Sequence, residues 1–247
     1  MNDEKPTIVL LHGVGLDHTM WDLVRHELPA SAVFLDLPGH GDQPTLHTET
    51  SLQELADDIA SRLPNGLVQL VGFSLGGLIA QRLAIDLPHK ITSVVAASTV
   101  CQRSDEERAA VVQRLVTAQH DLGESTRRSL ERWFPEDSAV SPEFVEQTRR
   151  VLERNDRDSF LYAYQVFATA DQELATQLDQ IRQPLLAITG ELDRGSTPDM
   201  SQRLVEAVPH GTLRIVPRTR HMLPYEAPKA FVKHVQDHFS LKEVGAL

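Results

Sequence analysis

The sequence predicts an α/β protein: a three-layer, doubly wound, mostly parallel sheet of about six strands. Three observations carry this prediction. Short runs of uninterrupted apolar residues recur along the chain, as in strands buried on both faces. They alternate with stretches of helical periodicity. Glycine and proline cluster where these runs end.

Thr7–His12 (TIVLLH) is the first such run, β-branched at its start and ended by Gly13-Val14-Gly15. A helix is expected over Thr19–Leu28, stopped by Pro29, and then a second strand over Ala32–Leu37, closed by the turn cluster Pro38-Gly39-His40-Gly41. Ser51 followed by Glu54 is a capping box opening a helix to about Leu63. Leu67–Phe73 reads as a third strand, Leu75–Leu87 as a helix stopped by Pro88, and Ile91–Ala97 as a fourth strand. After Pro184, Leu185–Thr189 is a fifth strand, Pro198–Val208 a helix, Thr212–Val216 a sixth strand and Pro228–Phe239 a final helix. Right-handed crossovers between parallel strands place helices on both faces of the sheet.

Between the fourth and fifth strands the pattern changes. Asp105–Ala118, Ser125–Trp133, Ser141–Asn155 and Asp158–Ala168 all read as helices, the third with Pro142 at its first position. A stretch this long with helices of its own is not a loop. It reads as a helical cap, or lid, over 101–179, inserted into a core made of 1–100 and 180–247.

Composition limits the function. Apolar residues are 41% and charged residues 24% of 247, the balance of a folded chain. The net charge of −11 argues against nucleic acid or an anionic membrane as partner. No apolar run is long enough to span a bilayer, and Met1–Pro6 has neither the basic nor the apolar region of a secretory signal. Cys101 is the single cysteine, which excludes an intramolecular disulfide and fits a cytoplasmic location. No metal or cofactor site is apparent: there is no H-E-x-x-H, cysteine cluster or Walker A loop, and Gly72–Gly77 is not G-x-G-x-x-G.

The most informative residues are Gly72-Phe73-Ser74-Leu75-Gly76-Gly77, where an expected strand runs into an expected helix. A serine displayed on so sharp a turn needs neighbours without side-chain bulk. The helix that starts beneath it turns its positive dipole end toward any negative charge developing there.

Further motifs, in the same chain order, resemble those of the α/β-hydrolase superfamily. His12-Gly13-Val14-Gly15 is similar to its oxyanion loop and Asp36-Leu37-Pro38-Gly39-His40-Gly41 to its D-x-P-G-x-G turn. Gly190-Glu191-Leu192-Asp193 resembles its acid loop, and His221 within Thr219–Glu226 resembles its base loop. The resemblance spans about residues 7–235. It implies Ser74 as nucleophile, His221 as the base that takes and returns its proton, and Asp193 as the acid that orients the imidazole. The backbone N–H groups of Val14 and Leu75 are then the expected oxyanion donors. Asp199, the nearest rival acid, lies inside a helix start, and Ala97–Cys101, where some members carry the acid, has no carboxylate. His12, His40 and Asp36 read as structural turn residues.

Two stretches narrow the likeness. Asp193-Arg194-Gly195-Ser196-Thr197-Pro198 and Leu130-Glu131-Arg132-Trp133-Phe134 look like segments of 3-oxoadipate enol-lactonases. That resemblance implies hydrolysis of a small enol-lactone bearing a carboxylate, in aromatic degradation. The β-hairpin those proteins carry ahead of the first strand is expected to be missing, and the expected sheet of six strands would then have an exposed edge that could serve a homodimer. Trp133, Phe134, Tyr162, Tyr164 and Phe167 are the aromatic candidates for a pocket, although most such residues simply pack helices onto a sheet. Arg132 and Arg194 are candidates to pair with a substrate carboxylate. A carboxylesterase, a carbon–carbon bond hydrolase and a non-catalytic small-ligand receptor on the same scaffold stay open.

Overall fold

In the computed structural model residues 5–240 are described. Met1–Glu4, part of the segment read above for a secretory signal, and 241–247, assigned above to the core, lie outside them. The six strands are β1 (Thr7–Leu11), β2 (Val33–Leu35), β3 (Val68–Phe73), β4 (Ile91–Ala97), β5 (Leu185–Gly190) and β6 (Gly211–Val216). They form a single parallel sheet in the order β2-β1-β3-β4-β5-β6.

The strand sequences divide two cores between them because successive side chains point to opposite faces. Ile8 and Leu10 join Val71, Phe73, Val95, Leu186 and Ile188 on one face, where Met20, Trp21, Phe231 and Val235 cover them. Val9 and Leu11 join Leu70, Val94, Ala96 and Ala187 on the other. That second face is covered by α2 (Leu52–Arg62), α3 (Leu75–Asp86) and α8 (Pro198–Ala207). Helix α3 is buried on every side from Leu75 to Ala84, so its composition is apolar or small almost throughout. The Ser51–Glu54 capping box forms as expected.

The helix expected over Thr19–Leu28 is instead a 3-10 turn, His18–Trp21, followed by a single turn α1 (Asp22–Arg25). Met20, Trp21, Val24 and Leu28 are buried, which explains the helix-like periodicity. The Asp17 side chain takes the Thr19 N–H at 3.0 Å, and tight i to i+3 bonds from Glu27 and Leu28 end the segment. A one-turn helix α9 (Leu223–Glu226), not expected from the sequence, precedes α10 (Pro228–Ser240).

Between β4 and β5 the chain folds into α4 (Asp105–His120), α5 (Leu122–Trp133), α6 (Pro142–Glu153) and α7 (Arg157–Leu174). Helix α5 begins earlier than expected because the Asp121 side chain caps it at the Glu124 N–H. The two ends of this segment are fastened together inside the protein. Arg103, just before α4, bonds Asp171 near the end of α7 at 2.6 Å, and both side chains are fully buried. Asp171 also accepts the Arg103 backbone N–H, and the guanidinium reaches the Phe167 carbonyl at 3.0 Å.

Candidate functional site

In a parallel sheet of this kind the carboxyl ends of the strands form one rim, and loops leaving that rim build sites. Ser74 leaves β3, Asp193 leaves β5 and His221 follows β6, so the topology alone gathers them there.

Ser74 holds φ 53° and ψ −112°, a backbone region that L-residues rarely enter. The turn is fixed from several sides. Its N–H donates to the Ala97 carbonyl at 2.9 Å, and its own carbonyl accepts the Thr99 hydroxyl at 2.7 Å and the Gly77 N–H at 3.0 Å. The neighbouring glycines are required by space: a Cβ on Gly72 would lie 2.2 Å from the Gly76 carbonyl oxygen, and one on Gly76 would lie 2.4 Å from that of Leu11. Leu75 opens α3, so its N–H has no acceptor within the helix.

The His12–Gly15 loop lies against this turn. His12 is fully buried and bridges two strand ends: Nδ1–H donates to the Gly13 carbonyl at 2.8 Å, and Nε2 accepts the Leu37 N–H at 2.9 Å. Burial, reinforced by the neighbouring His40, lowers its pKa to about 3, so it stays neutral and structural. Asp36 accepts the N–H groups of His18 and Asp42, the turn role expected of it. The loop is also tied from the helical segment, where the Asn155 amide donates to the Gly15 carbonyl at 2.8 Å and Arg154 pairs with Asp17.

His221 and Asp193 meet through Nδ1 and Oδ2 at 2.7 Å. The other Asp193 oxygen accepts the N–H groups of Gly195 (2.8 Å) and Ser196 (2.9 Å). Both carboxylate oxygens therefore have hydrogen-bond partners; the one facing the imidazole accepts from Nδ1–H, which leaves Nε2 as the ring nitrogen not engaged by the acid. The Leu192 N–H reaches the Thr219 carbonyl at 2.8 Å, joining the acid and base loops. Two aromatic rings frame the imidazole: Phe73 at 5.0 Å, tilted by 56°, and Trp133 of α5 at 5.5 Å, nearly parallel at 21°. Among the described residues no direct hydrogen bond links Ser74 to His221; both line one cavity.

That cavity is also lined by Val14, by the apolar side chains of Leu16, Leu152 and Phe160, and by a polar set from α4 and α5. Of the pocket residues expected from the sequence, Trp133, Arg132, Tyr164 and Phe167 line it. Phe134, Tyr162 and Arg194 do not. Phe134 turns away from the cavity to stack on Tyr225, 6.4 Å away. Tyr162 lies off the Phe160–Tyr164–Phe167 stripe that α7 turns inward, and Arg194 is exposed, with Gly195 and Ser196 occupying the wall beside it. Arg114, Phe160 and the hydroxyls of Ser125, Thr126 and Ser129 were not anticipated. Arg114 carries a readable signal, since it adjoins the buried Val111–Leu115–Ala118 stripe of α4. Cys101 is no rival nucleophile: burial pushes its thiol up to about 12. Among the described residues no three His, Cys, Asp or Glu side chains are grouped to hold a metal ion, and no helix is long and apolar enough to cross a membrane.

A strained serine between strand and helix, with a buried His–Asp pair on the same rim of a parallel sheet, is the architecture of the hydrolases that the motifs resemble. The profile of the Alpha/beta hydrolase family matches residues 8–234, and the chain belongs to that family. It is 30% identical over 232 residues to (E)-2-((N-methylformamido)methylene)succinate hydrolase of Acinetobacter baylyi, covering 92% of this chain and 87% of that protein. It is 26% identical over 234 residues to 3-oxoadipate enol-lactonase 2 of the same organism, covering 92% and 86%. The crystal structure of the enol-lactonase from Burkholderia xenovorans LB400 superposes with a TM-score of 0.86 at 25% identity, over 96% of this chain and 92% of that one. The enol-lactonase resemblance seen in the motifs thus extends over nearly the whole chain.

Proposed function

We propose that this chain hydrolyses a carboxylic ester or lactone of a small molecule, with Ser74 as nucleophile, His221 as general base and acid, and Asp193 as its orienting partner. The observation that carries the reading is the 2.7 Å His221–Asp193 bond beside a serine held at φ 53° in the wall of the same cavity. Ser74 Oγ adds to the carbonyl carbon and gives its proton to His221 Nε2. The carbonyl oxygen becomes an oxyanion facing the N–H groups of Val14 and Leu75. Collapse expels the alkoxide, or the ring enolate of an enol-lactone, which takes the proton back from His221. Water, deprotonated by the same nitrogen, then releases the acid from Ser74. The relatives named as enol-lactonases make 3-oxoadipate enol-lactone the first substrate to try. The formamidomethylene-succinate hydrolase favours a second reading, in which the same residues act on that class of compound.

The test is turnover of p-nitrophenyl acetate and butyrate by the wild type, Ser74→Ala and His221→Ala, with 3-oxoadipate enol-lactone next. Loss of either side chain should lower kcat by about three to six orders of magnitude. Retention of most of the rate by Ser74→Ala refutes the mechanism. If the wild type is inert on these esters, labelling of Ser74 by a fluorophosphonate decides whether the serine is activated.

A further inference from the structure

We propose that Arg114 and Arg132 form a carboxylate-binding subsite in the Ser74 cavity, so that the compound cleaved there carries a free carboxylate. The proposal deepens the hydrolase reading above, but the binding it predicts does not depend on turnover.

The argument begins with α5. This helix turns Ser125, Thr126, Ser129, Arg132 and Trp133 to the cavity, a spacing that keeps them on one face. A helix closing an apolar core would present leucine or valine at such positions. Here the inward face is mostly hydroxyl and guanidinium.

The arginines around it show what is unusual about the two in the cavity. On the outer face of α5, Arg127 pairs with Glu124 and Glu131, and Arg128 with Glu124. Nearby, Arg103 and Arg108 pair with Asp171, and Arg203 with Glu107. No ion pair among the described residues includes Arg114 or Arg132. Arg132 donates only to neutral acceptors, the Ser129 hydroxyl at 3.2 Å and the Arg128 carbonyl at 3.5 Å. Scarcity of acids does not explain this, since the chain has 35 Asp and Glu against 24 Lys and Arg. The carboxylate whose field reaches Arg132 is Asp193, and both of its oxygens are already occupied by His221, Gly195 and Ser196. Burial and the neighbouring charge of Arg114 both disfavour the Arg132 cation. The fold thus sets two half-buried like charges on one cavity with no ion pair to either among the described residues, an arrangement that an incoming anion relieves.

Polar side chains without hydrogen-bond partners line the same cavity. The Ser196 Oγ is fully buried and has no hydrogen-bond partner. Ser125 and Thr126 do not bond back to the carbonyl four residues earlier, as Thr117, Thr148 and Thr169 do in their helices. A planar carboxylate accepts up to four hydrogen bonds and matches guanidinium geometry, whereas a neutral ester tail would leave two cations desolvated and unpaired.

The experiment is calorimetric titration of glutarate into Ser74→Ala, which separates binding from chemistry. One carboxylate meets the arginines, and the other stands where the acid formed by hydrolysis would be. Glutarate should bind, and adding Arg114→Gln or Arg132→Gln in the same background should each weaken it at least tenfold. Glutaramide, uncharged and of similar length, should bind at least tenfold more weakly. Circular dichroism establishes that the variants are folded, and Arg114→Lys should recover part of the affinity. Failure of glutarate to bind, equal affinity in the arginine variants, or equal affinity for glutaramide each overturns the subsite. The p-nitrophenyl butyrate assay judges the hydrolase reading separately. Turnover without glutarate binding sinks the subsite alone, and glutarate binding without turnover or serine labelling sinks the reaction alone.

Discussion

The backbone of Ser74 permits a test of strain that needs no substrate. At φ 53° and ψ −112° a residue with a Cβ carries about 1–3 kcal/mol of conformational strain, while glycine is relaxed in the mirror image of an extended conformation. Ser74→Ala removes the hydroxyl but keeps the Cβ, and Ser74→Gly removes both. Against the strain relieved stand about 0.5–1 kcal/mol for the extra freedom of glycine in the unfolded chain and about 0.8 kcal/mol for one buried carbon. Ser74→Gly should therefore lie between about 0.8 kcal/mol below and about 1.7 kcal/mol above Ser74→Ala. Ala80, buried in unstrained helix α3, is the control, and Ala80→Gly should cost about 1–2 kcal/mol. Urea unfolding of the four proteins measures this, and thermal melts should agree at about 2–4 °C per kcal/mol for a chain of this size. If Ser74→Gly falls below Ser74→Ala by as much as the control loses, the turn is not strained and the argument fails.

Two further outcomes follow from buried charge. His12 and His40 both have pKa values lowered by burial, His12 to about 3. The unfolded chain takes up their protons near pH 6.5 while the folded chain does not, so this contribution is intact above 6.5 and is lost as pH falls toward 3. Urea unfolding between pH 7 and 4.5 should show declining stability, and His12→Gln should reduce the slope by about one bound proton; an unchanged slope would show that His12 is protonated in the native state. Asp171→Ala leaves Arg103 charged and buried at 0% exposure, and should cost about 3–5 kcal/mol in the same assay. A loss below about 1 kcal/mol would mean that the pair does not hold the ends of the helical segment together.

The sheet was legible because each strand is a short apolar run that reaches both cores, and because the runs alternate with helices as parallel strands do. The tight turn at Ser74 was legible because its neighbours are constrained by backbone contact: only glycine fits at Gly72 and Gly76. The pocket was read less well because a helix declares its period before it declares its partner. In α7 the stripe Phe160–Tyr164–Phe167 faces inward and Tyr162 falls outside it, a distinction that counting by threes and fours from Phe160 makes. Arg114 was passed over because Asp105–His120 is polar nearly all round, so a cation beside its narrow apolar stripe looks like surface. The short segment at His18–Arg25 was misread for the opposite reason: buried side chains at helical spacing masked a cap that favours a tight turn.

Trp133 lies parallel to the imidazole of His221, and Arg132 is its immediate neighbour in the chain. The helix that carries the candidate anion contact therefore also supplies one face of the base's surroundings. Any change in the length or pitch of α5 reaches both at once, so the two cannot be altered independently by reshaping that helix.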